Sequence, residues 1–377
     1  MGTLRILQLG KYYPPVHGGV ETFCADLHRW LPGYGVESRV LAHDKGHAPA
    51  DPGVTLCPVM TELLFTPIAP GFRRALNKEI RSFRPQLLHL HLPNPSAFWA
   101  LTLAGARGIP WLAQWHSDVV PSRLEGRLRF VYPLYRPWEQ ALLRRSQAIV
   151  VSSQNYLDAS PALLEHHRRC RVLSLGLDPA RLEARQAETT GAWRGSAFRV
   201  LSVGRLTHYK GYDRLIRAMQ QVEDAELVIA GGGDLLEELA ALVRQLGLES
   251  RVNILTEVDD TLRNTLLEEC HCVCLPSVER SEAFGLVLLE AMAMGKPVVA
   301  TRLPGSGVPW VVETGGHGLL CPPGDENALA GQLNRLRRDE DQRRKLAHRG
   351  PASFEQHFHI RQTAEAMAGI YRSLAGR

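Results

Sequence analysis

The chain has 377 residues, more than one hydrophobic core usually organises, so two domains are expected. With 45% hydrophobic and 22% charged residues it has a globular composition, and no run approaches the roughly 20 uninterrupted apolar residues that span a bilayer, which argues against an integral membrane protein. The net charge of +5 is unevenly placed: residues 1–150 hold 17 Lys and Arg against 10 Asp and Glu, whereas residues 201–300 hold 9 against 16. The basic half suits an anionic surface, and the candidates are membrane phospholipid, an acidic acceptor or nucleic acid.

Residues 1–10 run directly into a strand pattern without the basic, apolar and small-residue succession of a signal peptide, so a cytoplasmic location is expected. Strand patterns follow at 4–9, 38–42, 87–92, 111–115, 148–152 and 170–174, with an amphipathic helix over 21–30 and helical patterns between most of the strands. That alternation predicts a Rossmann-like unit with a parallel sheet. Within it, Pro133 and Pro137 predict a short helix on either side rather than one continuous helix. The segment 121–145 interleaves Arg123, Arg127, Arg129, Arg136, Arg144 and Arg145 with aromatic and aliphatic residues, a pattern suited to the headgroup boundary of a membrane.

The polar stretch 183–196 reads as a linker. The pattern then restarts, with strands at 198–203, 225–230, 252–255, 272–275 and 297–301 and helices at 212–219, 235–246, 262–269, 286–294, 326–337 and 342–349. The expected division is therefore a first domain over 1–182, the linker, a second domain over 197–353, and a final segment, 354–377, that crosses back onto the first. Seven scattered cysteines argue against a disulfide framework. Cys270, Cys272 and Cys274 alternate at period two along one strand, so their thiols cannot converge on a metal and are expected to act as small buried hydrophobes.

Two tandem doubly wound sheets place chemistry at the carboxyl ends of their strands, and the candidate motifs lie there. Glu282 and Glu290 are eight residues apart, the first in a loop after a strand and the second inside the next helix, a span of at most about 12 Å if helical. The amides of Phe284, Gly285 and Leu286 lie at that helix's N-terminus, where phosphate binds well. Gly204-Arg205-Leu206-Thr207-His208-Tyr209-Lys210-Gly211 follows another strand, and its two cations are spaced to neutralise a diphosphate. Gly18 and Gly19 precede the first helix and would let an anion approach the backbone; this is not the G-x-G-x-x-G of a dinucleotide site. His116, in Trp115-His116-Ser117-Asp118, ends a strand and is placed to donate a hydrogen bond to developing charge. Gly231 to Asp234 and Val258 to Asp260 also end strands, while His89 and His91 are expected to pack or cap rather than catalyse.

Together these segments resemble the retaining glycosyltransferases of family 4, and the likeness runs from Leu4 to about Tyr371. It implies an α/β protein of the GT-B fold, two Rossmann-like doubly wound domains facing a cleft. By the resemblance, Glu282 meets the donor sugar's hydroxyls and Glu290 the nucleotide ribose. Arg205 and Lys210 clamp the pyrophosphate beside Gly204, Gly18 and Gly19 lie over the phosphates, the backbone near Val258 reads the base, and His116 is in the active site. The implied catalytic set is His116, Glu282, Arg205 and Lys210. No Asp-x-Asp ends a strand in a chelating position, so no metal and no cofactor are implied, and cations with helix amides would stabilise the leaving diphosphate. The run Pro304 to Trp310 is similar to that of bacterial mannosyl- and rhamnosyltransferases of polysaccharide assembly, which favours a GDP-sugar over a UDP-sugar. The expected partners are the nucleotide-sugar donor, a glycan or lipid-linked acceptor and the anionic cytoplasmic face of the inner membrane, with no nucleic acid. A sugar-nucleotide epimerase of the same fold and a non-catalytic sugar-nucleotide-binding protein are the alternatives.

Overall fold

Short runs rich in Val, Leu and Ile, bounded by Gly or Pro, form the strands of both halves of the chain. The structure, a computed structural model, describes residues 2–46, 48, 51–63, 66–119, 126–183, 190–195 and 197–376, and only the backbone of 126–130. The first unit comprises Met1–Leu177 and Ile360–Arg377, the second Asp178–His359.

In chain order the first unit contains β1 (Leu4–Leu9), α1 (Gly19–Trp30), β2 (Val36–Asp44), β3 (Val54–Pro58), β4 (Thr61–Leu63), β5 (Thr66–Ile68), α2 (Phe72–Phe83) and β6 (Leu87–Leu92). The single turns α3 (Trp99–Thr102) and α4 (Ala104–Arg107), then β7 (Trp111–Trp115), α5 (Gly126–Arg145), β8 (Ala148–Val151), α6 (Gln154–Ala159) and β9 (Cys170–Val172) follow. Seven strands make a parallel sheet in the order β3-β2-β1-β6-β7-β8-β9, and β4 with β5 forms a separate antiparallel pair. The order reverses between β1 and β6, so the crevice of this sheet opens beyond those two strands. β3, the β4–β5 pair and α2 are additions to the elements expected from the sequence, although α2 buries a stripe of Phe72, Leu76, Ile80 and Phe83 at helical spacing.

The expectation of two short helices around Pro133 and Pro137 is overturned: α5 is continuous through both. The two prolines are one turn apart and both exposed, so the two missing N–H bonds fall on one solvent-facing stripe, where the orphaned carbonyls can bond water. Arg123 and Leu124 of the basic segment lie outside the described residues, as do the side chains of 126–130. Among the described residues no helix is long and apolar enough to cross a membrane.

The second unit contains β10 (Phe198–Val203), α7 (Tyr212–Ala218), β11 (Ala225–Ala230), α8 (Leu236–Gln245), β12 (Val252–Leu255), α9 (Asp260–Glu269), β13 (Cys272–Leu275), α10 (Leu286–Ala293), β14 (Val298–Thr301), α11 (Val308–Gly315), β15 (Gly318–Cys321), α12 (Glu326–Arg338) and α13 (Glu340–His357). Its parallel sheet has the order β12-β11-β10-β13-β14-β15, with the reversal between β10 and β13. Cys272, Cys274 and Cys321 are fully enclosed among Val200, Leu227, Val299 and other core side chains, and burial pushes their thiol pKa values up, so they pack as hydrophobes.

The division falls at Leu177/Asp178 rather than after 182, and at His359/Ile360 rather than after 353. Of the stretch read as a linker, 184–189 and 196 lie outside the described residues; the remainder is tied to the second unit, with the Thr190 amide donating to Glu269 and the Arg194 amide to Glu226. The later boundary moves because α13 passes through the exposed Pro351, carrying the chain past 353 in one helix. The last helix, α14 (Ile360–Ala375), belongs to the first unit, where it packs on α1.

Candidate active site

In the second unit the two charged motifs leave the two central strands. The loop 204–211 follows β10 and the loop 276–285 follows β13, and these strands pair directly, with Val200 beside Cys272 and Leu201 beside Val273. The loops are locked together: the Val278 amide donates to the Tyr209 carbonyl at 2.8 Å, and a Cβ on Gly211, at φ +68°, would collide with the carbonyl of Pro276. Glycine therefore serves twice at this crossing, by its left-handed backbone and by its missing side chain. The consequence is that Lys210 Nζ lies 2.6 Å from Glu282 Oε2, with the two side chains about 10% exposed. The Ser277 hydroxyl donates to the same carboxylate oxygen at 3.1 Å, and the Ser306 hydroxyl to the Glu282 carbonyl at 2.5 Å. Burial alone would lower the Lys210 pKa, but the Glu282 carboxylate and the hydroxyls of Tyr209 and Tyr212 reverse that, so the ammonium is held charged across the neutral range.

Gly285, at φ +79°, caps α10 and turns the chain from the Glu282 loop into the helix. Leu286 opens that helix, and Phe284 contributes its backbone there while its ring packs against Trp310 and Phe358. Glu290, one turn along, is buried and faces Arg263 of α9, whose Nη1 is 3.7 Å from Glu290 Oε1 and 2.9 Å from Asp260 Oδ1. Val258 sits in the loop between β12 and α9, half-buried. Arg205 is exposed on the β10 loop beside Gly204. Lys210 and Glu282 are thus brought together at the strand reversal, while Arg205 follows β10 and Val258 follows the edge strand β12.

In the first unit, Gly18 caps α1 and Gly19 begins it. The carboxylate of Glu21 folds back over Gly18, where a Cβ would collide with it. His116 follows β7 directly and extends its ladder, its amide donating to the Leu92 carbonyl at 2.9 Å. His91, expected to pack or cap, is buried, and its Nδ1 is 3.0 Å from His116 Nε2. The neighbouring β6 and β7 run in register, Leu92 beside Trp115, which puts the two imidazoles on one face and stacks them at 5.3 Å. Burial holds His116 at about 3, so it is neutral. Asp118 is a local brace, accepting from the Trp115 indole at 2.8 Å and the Ser160 hydroxyl at 2.6 Å.

Residues 17–181 match the family model Glycosyltransferase Family 4, and residues 188–352 match Glycosyl transferases group 1. The chain belongs to the group 1, family 4 glycosyltransferases. It is 29% identical over 362 residues to the D-rhamnosyltransferase WbpZ of Pseudomonas aeruginosa, covering 94% of this chain and 92% of the relative. To the O-antigen chain mannosyltransferase C of Escherichia coli it is 27% identical, covering 98% and 99%. The sucrose-phosphate synthase of Thermosynechococcus elongatus superposes with a TM-score of 0.81 at 23% identity, covering 99% of both chains, which supports the GT-B fold.

Four side chains of this glycosyltransferase's candidate site are not signalled by the motifs: Ser277, Ser306, Arg263 and Tyr212. Ser306 lies inside the run singled out at 304–310, and Ser277 next to a strand end, so position points to both without assigning a role. Arg263 looks like any helix-face cation until α9 is known to lie beside α10. The Tyr212 hydroxyl is buried with no hydrogen-bond partner among the described residues, although Lys210 and Gly204 are its neighbours. Among the described residues, no three His, Cys, Asp or Glu side chains gather in a metal-binding group.

Proposed function

We propose that this glycosyltransferase moves a hexose, mannose favoured, from a GDP-sugar to a glycan or lipid-linked acceptor in cell-surface polysaccharide synthesis, with retention of configuration and without a metal ion. The observation that carries the reading is the buried Lys210–Glu282 pair at the strand reversal, directly before the N-terminus of α10. A carboxylate there accepts hydroxyls of the transferred sugar, while the ammonium, Arg205 and the helix amides offset the charge that grows on the leaving diphosphate. The acceptor hydroxyl attacks from the face the diphosphate leaves, and a leaving phosphate oxygen takes its proton. Glu290 with Arg263 is the natural place for the nucleotide's ribose. The sugar preference is supported by the rhamnosyl- and mannosyltransferase relatives.

A lipid-linked acceptor, met by peripheral contact with the cytoplasmic membrane face, is supported by the first unit. An apolar groove of about 440 Å³ is lined by Pro67, Ile68, Phe98, Trp99 and Trp138, and α5 beside it leaves Leu134 75% and Trp138 51% exposed. The test is a donor panel of GDP-mannose, UDP-glucose, ADP-glucose and a dTDP-sugar in excess EDTA, read by nucleotide release and by thermal shift. A ligand present at 100 times its dissociation constant should stabilise by about 2.7 kcal/mol. Turnover and stabilisation with GDP-mannose are expected; strict dependence on added Mg or Mn, or preference for another base, would overturn the respective part.

A further inference from the structure

The first unit contains a chain of buried polar groups with a direction. His28 Nε2 is 3.0 Å from the carbonyl oxygen of Pro52, and His28 Nδ1 is 3.0 Å from Ser38 Oγ. Gln8 Nε2 donates to Ser38 Oγ at 2.8 Å, His91 Nε2 is 2.9 Å from Gln8 Oε1, and His91 Nδ1 is 3.0 Å from His116 Nε2. A carbonyl oxygen can only accept, so His28 must carry its proton on Nε2. In a neutral ring Nδ1 is then an acceptor, and the Ser38 hydroxyl donates to it. Ser38 Oγ is left to accept from the Gln8 amide nitrogen, which turns the amide oxygen toward His91. His91 therefore donates through Nε2 and accepts through Nδ1, and His116 donates through Nε2. The Cys24 thiol, 3.8 Å from Gln8 Oε1, is a weak donor that favours the same amide orientation. Burial lowers the pKa of His28, His91 and His116 alike, which keeps all three rings neutral and the direction intact.

At the end of the chain, His116 Nδ1 is buried with no hydrogen-bond partner among the described residues. We propose that this relay, anchored at the Pro52 carbonyl and passing through His28, Ser38, Gln8 and His91, fixes His116 as the tautomer with its lone pair on Nδ1, so that it accepts a hydrogen bond from a substrate hydroxyl. This reverses the donor role expected for His116 from its position alone. A buried acceptor without a donor is unfavourable, and a sugar hydroxyl is a donor able to relieve that cost. The inference rests on His116 belonging to the glycosyltransferase's site; His91, Gln8, Ser38 and His28 act through it as positioning residues.

Histidine-selective nitrogen NMR of the full-length protein reads the tautomer without any ligand. Protonated Nε2 and bare Nδ1 on both His91 and His116 are expected, and a proton on His116 Nδ1 would overturn the relay. GDP-mannose at saturation should then move the His116 Nδ1 signal upfield; bound donor that leaves it unmoved would remove the substrate contact. If GDP-mannose does not bind, the donor assignment falls, while the spectrum of the free protein still decides the tautomer. His91→Leu should lower kcat about 10-fold, the worth of one net hydrogen bond. His91→Asn, which places an amide oxygen where Nδ1 was, should recover the tautomer and most of that loss. Equal losses in both variants, with the tautomer unchanged, would contradict the proposal.

Discussion

Acidification should unfold the first unit ahead of the second. Six histidines of the first unit, His28, His43, His89, His91, His116 and His166, are buried. Burial holds His43 at about 4, His89 and His116 at about 3, His91 well below its ordinary value, and lowers His28 and His166 as well. In the unfolded chain each binds a proton near pH 6.5. Because the folded values are depressed, the stabilisation is complete above about pH 6.5 and is lost as the pH falls toward 4 and then 3. At about 1.36 kcal/mol per pH unit, each imidazole that protonates only on unfolding costs about 2 kcal/mol between pH 6.5 and 5. Four of them, His43, His89, His91 and His116, together remove roughly 6–8 kcal/mol, comparable with the whole stability of a domain. The second unit has His317, held at about 4, and His271, lowered by burial and by neighbouring cations, so its loss over the same range is smaller. Scanning calorimetry from pH 7 to 4, in buffers of different ionisation enthalpy, reads both the transitions and the protons bound. One transition should fall steeply below pH 6 with uptake of about four or five protons, as the linkage slope requires, while the other moves less. A first-unit stability flat to within about 1 kcal/mol between pH 7 and 5 would refute the reasoning.

Lys210→Ala strands Glu282 in a buried site and should cost about 3–5 kcal/mol in a thermal melt, with turnover reduced about 10²-fold. The apolar double replacement Lys210→Met with Glu282→Leu should regain most of the stability and none of the turnover; a Lys210→Ala melt matching wild type would contradict the buried pair. In calorimetry, Glu290→Gln should weaken binding of bare GDP, whereas Glu282→Gln should spare bare GDP and lose turnover and donor-sugar discrimination. Equal weakening of bare GDP by both would contradict that division. The protein should co-sediment with anionic but not zwitterionic vesicles, less at high salt or after Arg123, Arg127 and Arg129 are changed to Ser; no binding to anionic vesicles at low salt would remove the membrane contact.

Most strands and the charged motifs are legible in the sequence, because strand periodicity, turn glycines and helix-capping patterns act over a few residues. The end of the strand before Pro276 and the helix start at Gly285 are enough to put Glu282 on a loop and Glu290 on a helix. The same local rules misjudge α5 and α13, since a proline's cost depends on whether the orphaned carbonyl faces water, which is a property of the surface and not of the sequence window. His91 reads as a packing residue because a histidine inside an apolar strand carries no sign of what lies across the sheet.

The sequence by itself determined that this protein is a tandem α/β chain with cations and carboxylates at strand ends, and which residues those are. Only the tertiary structure decided that β10 and β13 are neighbours, so that Lys210 meets Glu282 and not solvent, and that β1, β6 and β7 bring Gln8, His91 and His116 into one hydrogen-bonded line. Local preference chooses strand or helix through the backbone's own sterics. Strand order is chosen by which apolar faces can be buried together, and that is a property of the whole chain.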